Sequence, residues 1–168
     1  MKKPSLIVAA VLAITTSAVL AATSPATATF QVLITVAKAC SVTAGAGSNI
    51  NFNTVDSSAT NLSASSNINV TCSKSTPYNI GLLPSNNSTT GAGVMSPSTG
   101  TDTIPYQLRS VSATGSIWGS TATSISVGNG VSGTGTGLAQ SIPVWATVAS
   151  VNVTPGAYLD TVTVQVNY

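Results

Sequence analysis

The sequence has no His and no Glu, and charged residues of any kind are scarce. Its 168 residues include three acidic side chains, all Asp, and five Lys or Arg, so 5% of the chain is charged, where about a quarter is usual. Nucleic-acid binding and charge-rich disorder both need far more charge. Because His is the commonest acid–base group near neutral pH, its absence also argues against an enzyme.

Hydroxyl and apolar side chains take the place of the missing charge. The chain contains 25 Ser and 25 Thr, and 43% of its residues are hydrophobic. This composition is enough for a packed core under an uncharged, hydroxyl-rich surface. It indicates a structural or adhesive protein that has no need of a cofactor.

Residues 1–21 have the three parts of a secretory signal peptide. Lys2 and Lys3 form a basic start, residues 6–14 an apolar stretch, and a small-residue motif ends at Ala21. A membrane anchor is the alternative, but the apolar run is broken well short of the roughly 20 residues that span a bilayer. We therefore expect an exported chain that contacts the membrane only during export.

Removal of residues 1–21 changes the charge balance. About 147 residues remain, enough for one domain with a real core. The mature chain keeps three cationic and three acidic residues and is formally neutral: Lys38, Lys74, Arg109, Asp56, Asp102 and Asp160. The basic pI of the whole chain therefore owes much to the signal peptide, and a basic patch for DNA or anionic lipid loses its support.

The mature chain contains two cysteines, Cys40 and Cys72. An even count in an oxidising compartment predicts one disulfide, worth about 3–4 kcal/mol on the chain-entropy model. A metal site is the competing interpretation, but two Cys without His or Glu supply too few ligands.

Apolar residues alternate with polar ones in most segments of the mature chain, which is the pattern of β-strands. The end is the clearest case, with Val162, Val164 and Val166 alternating with Thr163 and Gln165. No stretch has the start and stop signals of a long amphipathic helix. Clusters rich in Gly, Asn, Ser and Pro predict turns or irregular loops at residues 44–49, 84–93, 96–101 and 128–137. The pattern predicts an all-β sandwich of immunoglobulin-like type.

The alternating run at residues 29–37 lies just before Cys40 and allows two interpretations. Its apolar positions are Phe30, Val32, Ile34 and Val36, each costly to leave in water at roughly 1.5–3 kcal/mol. It could form an ordinary first strand of its own sandwich. Alternatively, it could complete the sheet of another subunit by strand addition.

The sequence gives little support for a catalytic or ligand-binding site. Ser73-Lys74-Ser75 lacks the spacing of a Ser–Lys nucleophile, and the three Asp lie far apart. Residues 128–137 lack the Lys of a phosphate loop and predict a flexible loop. Trp118 and Trp145 could belong to a sugar-binding platform, but scattered aromatics in a β-sandwich are usually core or strand pairs. Asp160 is expected to form a structural corner.

Several stretches in the C-terminal half carry a family resemblance. They are Ile104-Pro105-Tyr106-Gln107-Leu108, Ile117-Trp118-Gly119, residues 128–137, Gln140-Ser141-Ile142-Pro143-Val144-Trp145 and, above all, Pro155-Gly156-Ala157-Tyr158-Leu159-Asp160-Thr161-Val162-Thr163-Val164. Ala39-Cys40-Ser41-Val42 and Val70-Thr71-Cys72 fit the same order. The sequence resembles the spore coat protein U domain family, whose members include the archaic, Csu-type chaperone–usher pilins. Ala146 departs mildly from the family pattern.

The resemblance implies an immunoglobulin-like sandwich that lacks its final strand. A periplasmic chaperone would supply that strand until, at an outer-membrane usher, the N-terminal strand of the next subunit replaces it. Carried onto this chain, the donor residues are Phe30, Val32, Ile34 and Val36. Tyr168 would be the residue through which the chaperone anchors the subunit.

These observations predict three segments: a signal peptide at 1–21, a donor-strand segment at 22–37 and a pilin domain at 38–168. The expected function is that of a structural pilus subunit, assembled by donor-strand exchange at the cell surface and serving attachment or biofilm formation. Its expected partners are copies of itself, a chaperone and an usher. Two alternatives stay open: a secreted coat protein of cells or spores, and a self-complemented monomeric carbohydrate-binding module.

Overall fold

The structure, a computed structural model, describes residues 24–168. The predicted signal peptide at 1–21 lies outside the described residues. The chain divides into two compact units, and the boundary between them lies between Thr35 and Val36. The second unit contains nine strands: β1 Cys40–Thr43, β2 Thr60–Cys72, β3 Pro77–Pro84, β4 Ala92–Pro97, β5 Ile104–Ser110, β6 Val131–Thr134, β7 Ala139–Ser150, β8 Tyr158–Leu159 and β9 Val162–Asn167.

The strands form two sheets, as expected for an immunoglobulin-like β-sandwich. One sheet has six strands in the order β1-β2-β7-β5-β4-β8, and the other has three in the order β6-β3-β9. Every strand pair is antiparallel. The longest ladder joins β2 to β7, from Thr60 opposite Ser150 to Thr71 opposite Ala139. The predicted all-β sandwich is confirmed.

The core lies between the two sheets and is built from alternate residues of the strands. Ile68 and Val70 come from β2, Ile80 and Leu82 from β3, and Leu108 from β5, all of them buried. Their neighbours along each strand are mostly polar and point the other way, as the two-residue period of a strand requires. Alternation in the sequence therefore reports the inner and outer faces correctly.

One predicted loop is wrong. Residues 128–137 were expected to form a flexible loop, but they include β6, which pairs with β3. Gly133 lies opposite Tyr78, and a Cβ at Gly133 would come within 2.3 Å of the Tyr78 ring. Glycine is present here because the tyrosine ring covers the strand. Turn propensity is not the reason.

Strand β4 also lies partly inside segments that were expected to be turns. It begins at Ala92 and ends at Pro97, overlapping the clusters at 84–93 and 96–101. The chain contains one short 3₁₀ helix among the described residues, at Ala46–Ser48. Within residues 24–168, no helix has the length and apolar character needed to cross a membrane.

The run at residues 29–37 belongs to no strand in the structure. Phe30 is 87% exposed, and Val32, Ile34 and Val36 are exposed to a similar extent. The assignment of this run as a donor strand stays a prediction. Four large apolar side chains at alternate positions remain in water, an arrangement that burial against a partner would stabilise.

Candidate functional site

The last strand, β9, is an edge strand. It hydrogen-bonds to β3 on one side, and no other strand formed by residues 24–168 pairs with it. Its inward-facing residues Val162, Val164 and Val166 are only half-buried, although each packs against the core. An apolar edge strand with unpaired backbone groups can accept a further strand.

A groove beside β9 opens the core to solvent. It has a volume of about 520 Å³. One wall is the segment at 44–52 that follows β1, and the other runs from Tyr158 to Val164. Its remaining apolar lining comes from strands of both sheets: Ile68, Leu82, Met95, Tyr106, Leu108, Val144 and Ala146. Side chains of the hydrophobic core thus line a surface cleft.

A second opening of about 940 Å³ adjoins the first. The two share lining residues, among them Ile50, Phe52, Met95 and Tyr158. The second opening extends the cleft past the loops at 53–57 and 151–157. Together they form what we call the acceptor groove.

A polar node fixes one wall of the acceptor groove. The Tyr106 hydroxyl donates a 2.6 Å hydrogen bond to Oδ2 of Asp160, and the Ser85 hydroxyl donates to Oδ1. Burial, together with the hydrogen bond to Asp160 and its charge, raises the pKa of Tyr106 well above its usual value. Asp160 is the structural corner that the sequence suggested, since it joins the β3–β4 turn, β5 and the start of β9.

The Tyr106 ring is positioned by the strand next to it. Gly93 on β4 lies opposite Tyr106 on β5, and a Cβ at Gly93 would come within 2.0 Å of the ring. The absent side chain leaves the space in which the ring crosses towards Asp160. The groove wall therefore depends on a glycine that the sequence alone does not mark as functional.

The start of the domain is held by a covalent and hydrogen-bonded clamp. Cys40 and Cys72 lie opposite each other on β1 and β2 and form a disulfide, so the predicted bridge is confirmed. One residue further out, the Ser73 N–H donates to the Ala39 carbonyl at 2.9 Å, and the Ala39 N–H donates to Ser73 Oγ at 3.0 Å. The Ser73 hydroxyl is occupied in this contact, which gives it a structural role.

The other residues singled out in the sequence lie apart from the groove. Trp118 is fully buried and donates from Nε1 to the Ile80 carbonyl at 2.9 Å. Trp145 is half-buried on the outer face of β7, opposite Arg109. The two tryptophans therefore do not form a common platform. Tyr168 is 47% exposed beyond the end of β9, and its role as a chaperone anchor stays a prediction.

Among residues 24–168, no group of three or more His, Cys, Asp or Glu is placed to hold a metal ion. The hydrogen-bond partners of the carboxylates are hydroxyl and backbone groups: Ser58 for Asp56, Thr154 for Asp102, and Ser85, Tyr106 and Thr161 for Asp160. Each of these contacts stabilises a loop or a strand end. The acceptor groove is lined largely by apolar side chains, which suits a chain segment better than a small polar substrate.

Fold and site together define an antiparallel β-sandwich domain with a free edge strand over an open core. Residues 26–165 match the family model of the Spore Coat Protein U domain. The match covers most of the chain, and the chain belongs to this family.

A solved structure also matches the chain: the chaperone–tip adhesion subunit pre-assembly complex of the archaic chaperone–usher Csu pili of Acinetobacter baumannii. The sequence identity is 26% and the TM-score 0.49, and the match covers 80% of this chain and 40% of that one. The comparison with curated proteins found no significant match.

Proposed function

We propose that this chain is the structural subunit of a surface fibre, in which residues 29–37 of one copy complete the sandwich of the next. One observation carries the proposal: the same chain presents an apolar groove at a free sheet edge and an exposed alternating strand sequence. Each is an association hazard alone. Together they are the two halves of a strand-addition interface.

The dimensions of the two halves agree. From Phe30 to Val36 an extended chain covers about 20 Å, at roughly 3.3 Å per residue. Strand β9, the edge to which it would pair, has six residues and about the same length. The run contains no charged residue, so none would be carried into the groove.

Burial of the apolar side chains of the run would be the main source of stabilisation. Four anchors, Phe30, Val32, Ile34 and Val36, are exposed in the structure. Their burial contributes about 6–12 kcal/mol before the costs of ordering and association are subtracted. Backbone hydrogen bonds to β9 add to this gain and fix the register.

The exposed groove and the family support the proposed partners. A subunit with an open core needs a temporary strand before assembly, and a periplasmic chaperone is the partner proposed to supply it. An outer-membrane usher would then exchange that strand for the segment of the next copy. The chain is exported through the periplasm to the cell surface, where the fibre serves attachment or biofilm formation. Its work is assembly, and we assign it no catalytic activity or cofactor.

The proposed anchor of the chaperone is Tyr168. The preceding residue, Asn167, donates from its side chain to the Ala122 and Asn79 carbonyls, which holds the end of β9 in place. An ordinary aromatic at a strand end is the simpler role for Tyr168, and the two roles are compatible.

A secreted coat without fibres is the second candidate, favoured by the family's own description. Deletion of residues 22–37 separates the candidates. The fibre proposal predicts that a chaperone-bound subunit still accumulates while fibres disappear from electron micrographs of the cell surface. Normal fibres made by the deleted chain would overturn the donor-strand assignment. A full mature chain that is a stable, folded monomer without a chaperone would instead support the self-complemented module.

A further inference from the structure

All three carboxylates lie at one end of the sandwich. Asp56 precedes β2, and the nearby Ala59 carbonyl accepts a hydrogen bond from Val151, just after β7. Asp102 accepts two hydrogen bonds from Thr154 in the loop that follows Val151, at 2.9 and 2.6 Å. The same loop bonds to Tyr158, two residues before Asp160. We call these three carboxylates the acidic end.

Two lysines lie at the opposite end. Ala39 and Ser73 are hydrogen-bonded to each other beyond the disulfide, so the next position out on each segment is occupied by a lysine, Lys38 and Lys74. Both are exposed. We call this pair the basic end. Arg109, the remaining cation of the described residues, lies midway, opposite Trp145 on β7, and donates to the Gly115 carbonyl.

Within one subunit the two ends cannot neutralise each other. They are separated by the 13-residue strand β2, or about 40 Å at 3.3 Å per residue. The Debye length is about 8 Å at physiological ionic strength. The few charges of this chain are therefore concentrated at the two ends of the sandwich, negative at one and positive at the other, and neither end is neutralised within the subunit.

We propose that the acidic end of one copy and the basic end of the next form an electrostatic contact that guides head-to-tail docking of subunits. The contact rests on the strand exchange proposed above and adds a second interface to it. The occupant of the acidic end is therefore a second copy of this chain, presenting Lys38 and Lys74.

The position of Lys38 in the sequence connects the contact to the groove. Lys38 is two residues from Val36, the last anchor of the donated run, so it reaches at most about 7 Å past the groove end that Val36 occupies. The lining of the groove includes two carboxylates, Asp56 and Asp160, and neither Lys38 nor Lys74. Both carboxylates belong to the acidic end. Charge favours the acidic end, and the donated run then lies antiparallel to β9.

The contact is expected to act mainly on the rate of association. Exposed charges of opposite sign steer encounter and orient the partners, and salt weakens both effects. The acidic end adjoins the groove mouth, so an incoming copy is attracted where its run must enter. Two like-charged ends repel each other, which disfavours head-to-head encounters.

The test uses the full mature chain, with self-association followed by light scattering at low and high salt. Lys74→Glu and Asp56→Lys each reverse a charge at one end and are expected to slow association about tenfold at low salt. The double variant K74E/D56K leaves one negative charge at the acidic end and no net charge at the basic end, so it is expected to associate as slowly as K74E. The controls S63E/N69E and S63K/N69K change net charge equally, at exposed positions along β2, and should have little effect.

A peptide of residues 26–37 provides a separate arm, since it contains the anchors but no lysine. It is expected to bind the wild-type chain and the charge variants alike, raising the melting temperature in each case. If the peptide binds but the association rate changes neither with salt nor with charge reversal, the electrostatic contact is excluded and the strand-exchange proposal is unaffected. The contact is equally excluded if the controls slow association as much as K74E does. Failure of the peptide to bind anywhere would instead overturn the strand-exchange proposal.

Discussion

Tyr106 and Asp160 are joined by a 2.6 Å hydrogen bond across 54 residues of sequence, at the wall of the acceptor groove. Tyr106 is almost fully buried, and its hydroxyl is therefore satisfied by the carboxylate. The contact holds the start of β9 against β5. The start of the free edge strand β9 is thus held in place within the domain itself.

Tyr106→Phe is expected to lower the free energy of unfolding by about 1–3 kcal/mol, because a hydrogen bond to a charged group is lost from a largely buried site. Urea unfolding of the purified chain measures this. Tyr158→Phe is the matched control, since its hydroxyl bonds to the Thr154 carbonyl in an exposed setting and should cost less. An equal loss in the two variants would show that the Tyr106 contact has no special importance.

Gly93→Ala is expected to destabilise the domain by about 1–3 kcal/mol through overpacking. The added Cβ would come within 2.0 Å of the Tyr106 ring, which must then move away from Asp160. Gly47→Ala is the control, because nothing lies within 4 Å of its Cβ position. Thermal unfolding of both variants distinguishes ring displacement from a general effect of replacing glycine. A Gly93→Ala chain as stable as the wild type would contradict the packing described here.

The sequence predicts the strands in which apolar and polar residues alternate. It misses the strands whose residues are explained only by contacts with a neighbouring strand. Strands such as β2 and β7 alternate because one face is buried, so their pattern is visible. Strands β4 and β6 contain Gly93 and Gly133, which lie under the rings of Tyr106 and Tyr78. These glycines resemble turn residues until the partner strand is known.

The candidate site likewise has one part that the sequence predicts and one that it does not. The strand pattern at residues 29–37 is visible in the sequence because its alternation is local. The cleft opposite Val162 and Val164 is formed by the segment at 44–52, where the sequence indicates only a turn at residues 44–49. The pairing of Lys38 with Lys74 likewise depends on the Ala39–Ser73 contact, which spans 34 residues.

Replacement of both cysteines, C40A/C72A, is expected to cost about 3–4 kcal/mol, since the bridge restricts the unfolded chain. Chemical unfolding of the purified variant measures the loss. Wild-type protein under reducing conditions should fall to nearly the same stability, which separates the cross-link from the packing of buried Cys72. A reduced wild-type chain that keeps its full stability would show that the disulfide contributes little.

Asp102 is expected to stay ionised at lower pH than an ordinary aspartate. Hydrogen bonds from the Thr154 hydroxyl and backbone N–H lower its pKa from 3.8. A depressed folded-state pKa contributes stability above the unfolded value, and that stability is lost as the pH falls through the folded one. Thr154→Val should raise the pKa of Asp102 part of the way back, measured by NMR titration of the carboxyl group. Thr103→Val, a neighbouring exposed threonine, is the control and should leave the titration unchanged.

The two faces of the donor run are expected to differ in their tolerance of charge. Val32→Asp with Ile34→Asp places two carboxylates on the face that enters the apolar groove, where their desolvation is costly. Gln31→Asp with Thr35→Asp adds the same charge to the opposite face. Fibre yield on the cell surface should fall at least tenfold for V32D/I34D and stay near the wild-type level for Q31D/T35D. If the two double variants assemble equally well, the side chains at positions 32 and 34 do not enter the groove, and strand addition by this run is excluded.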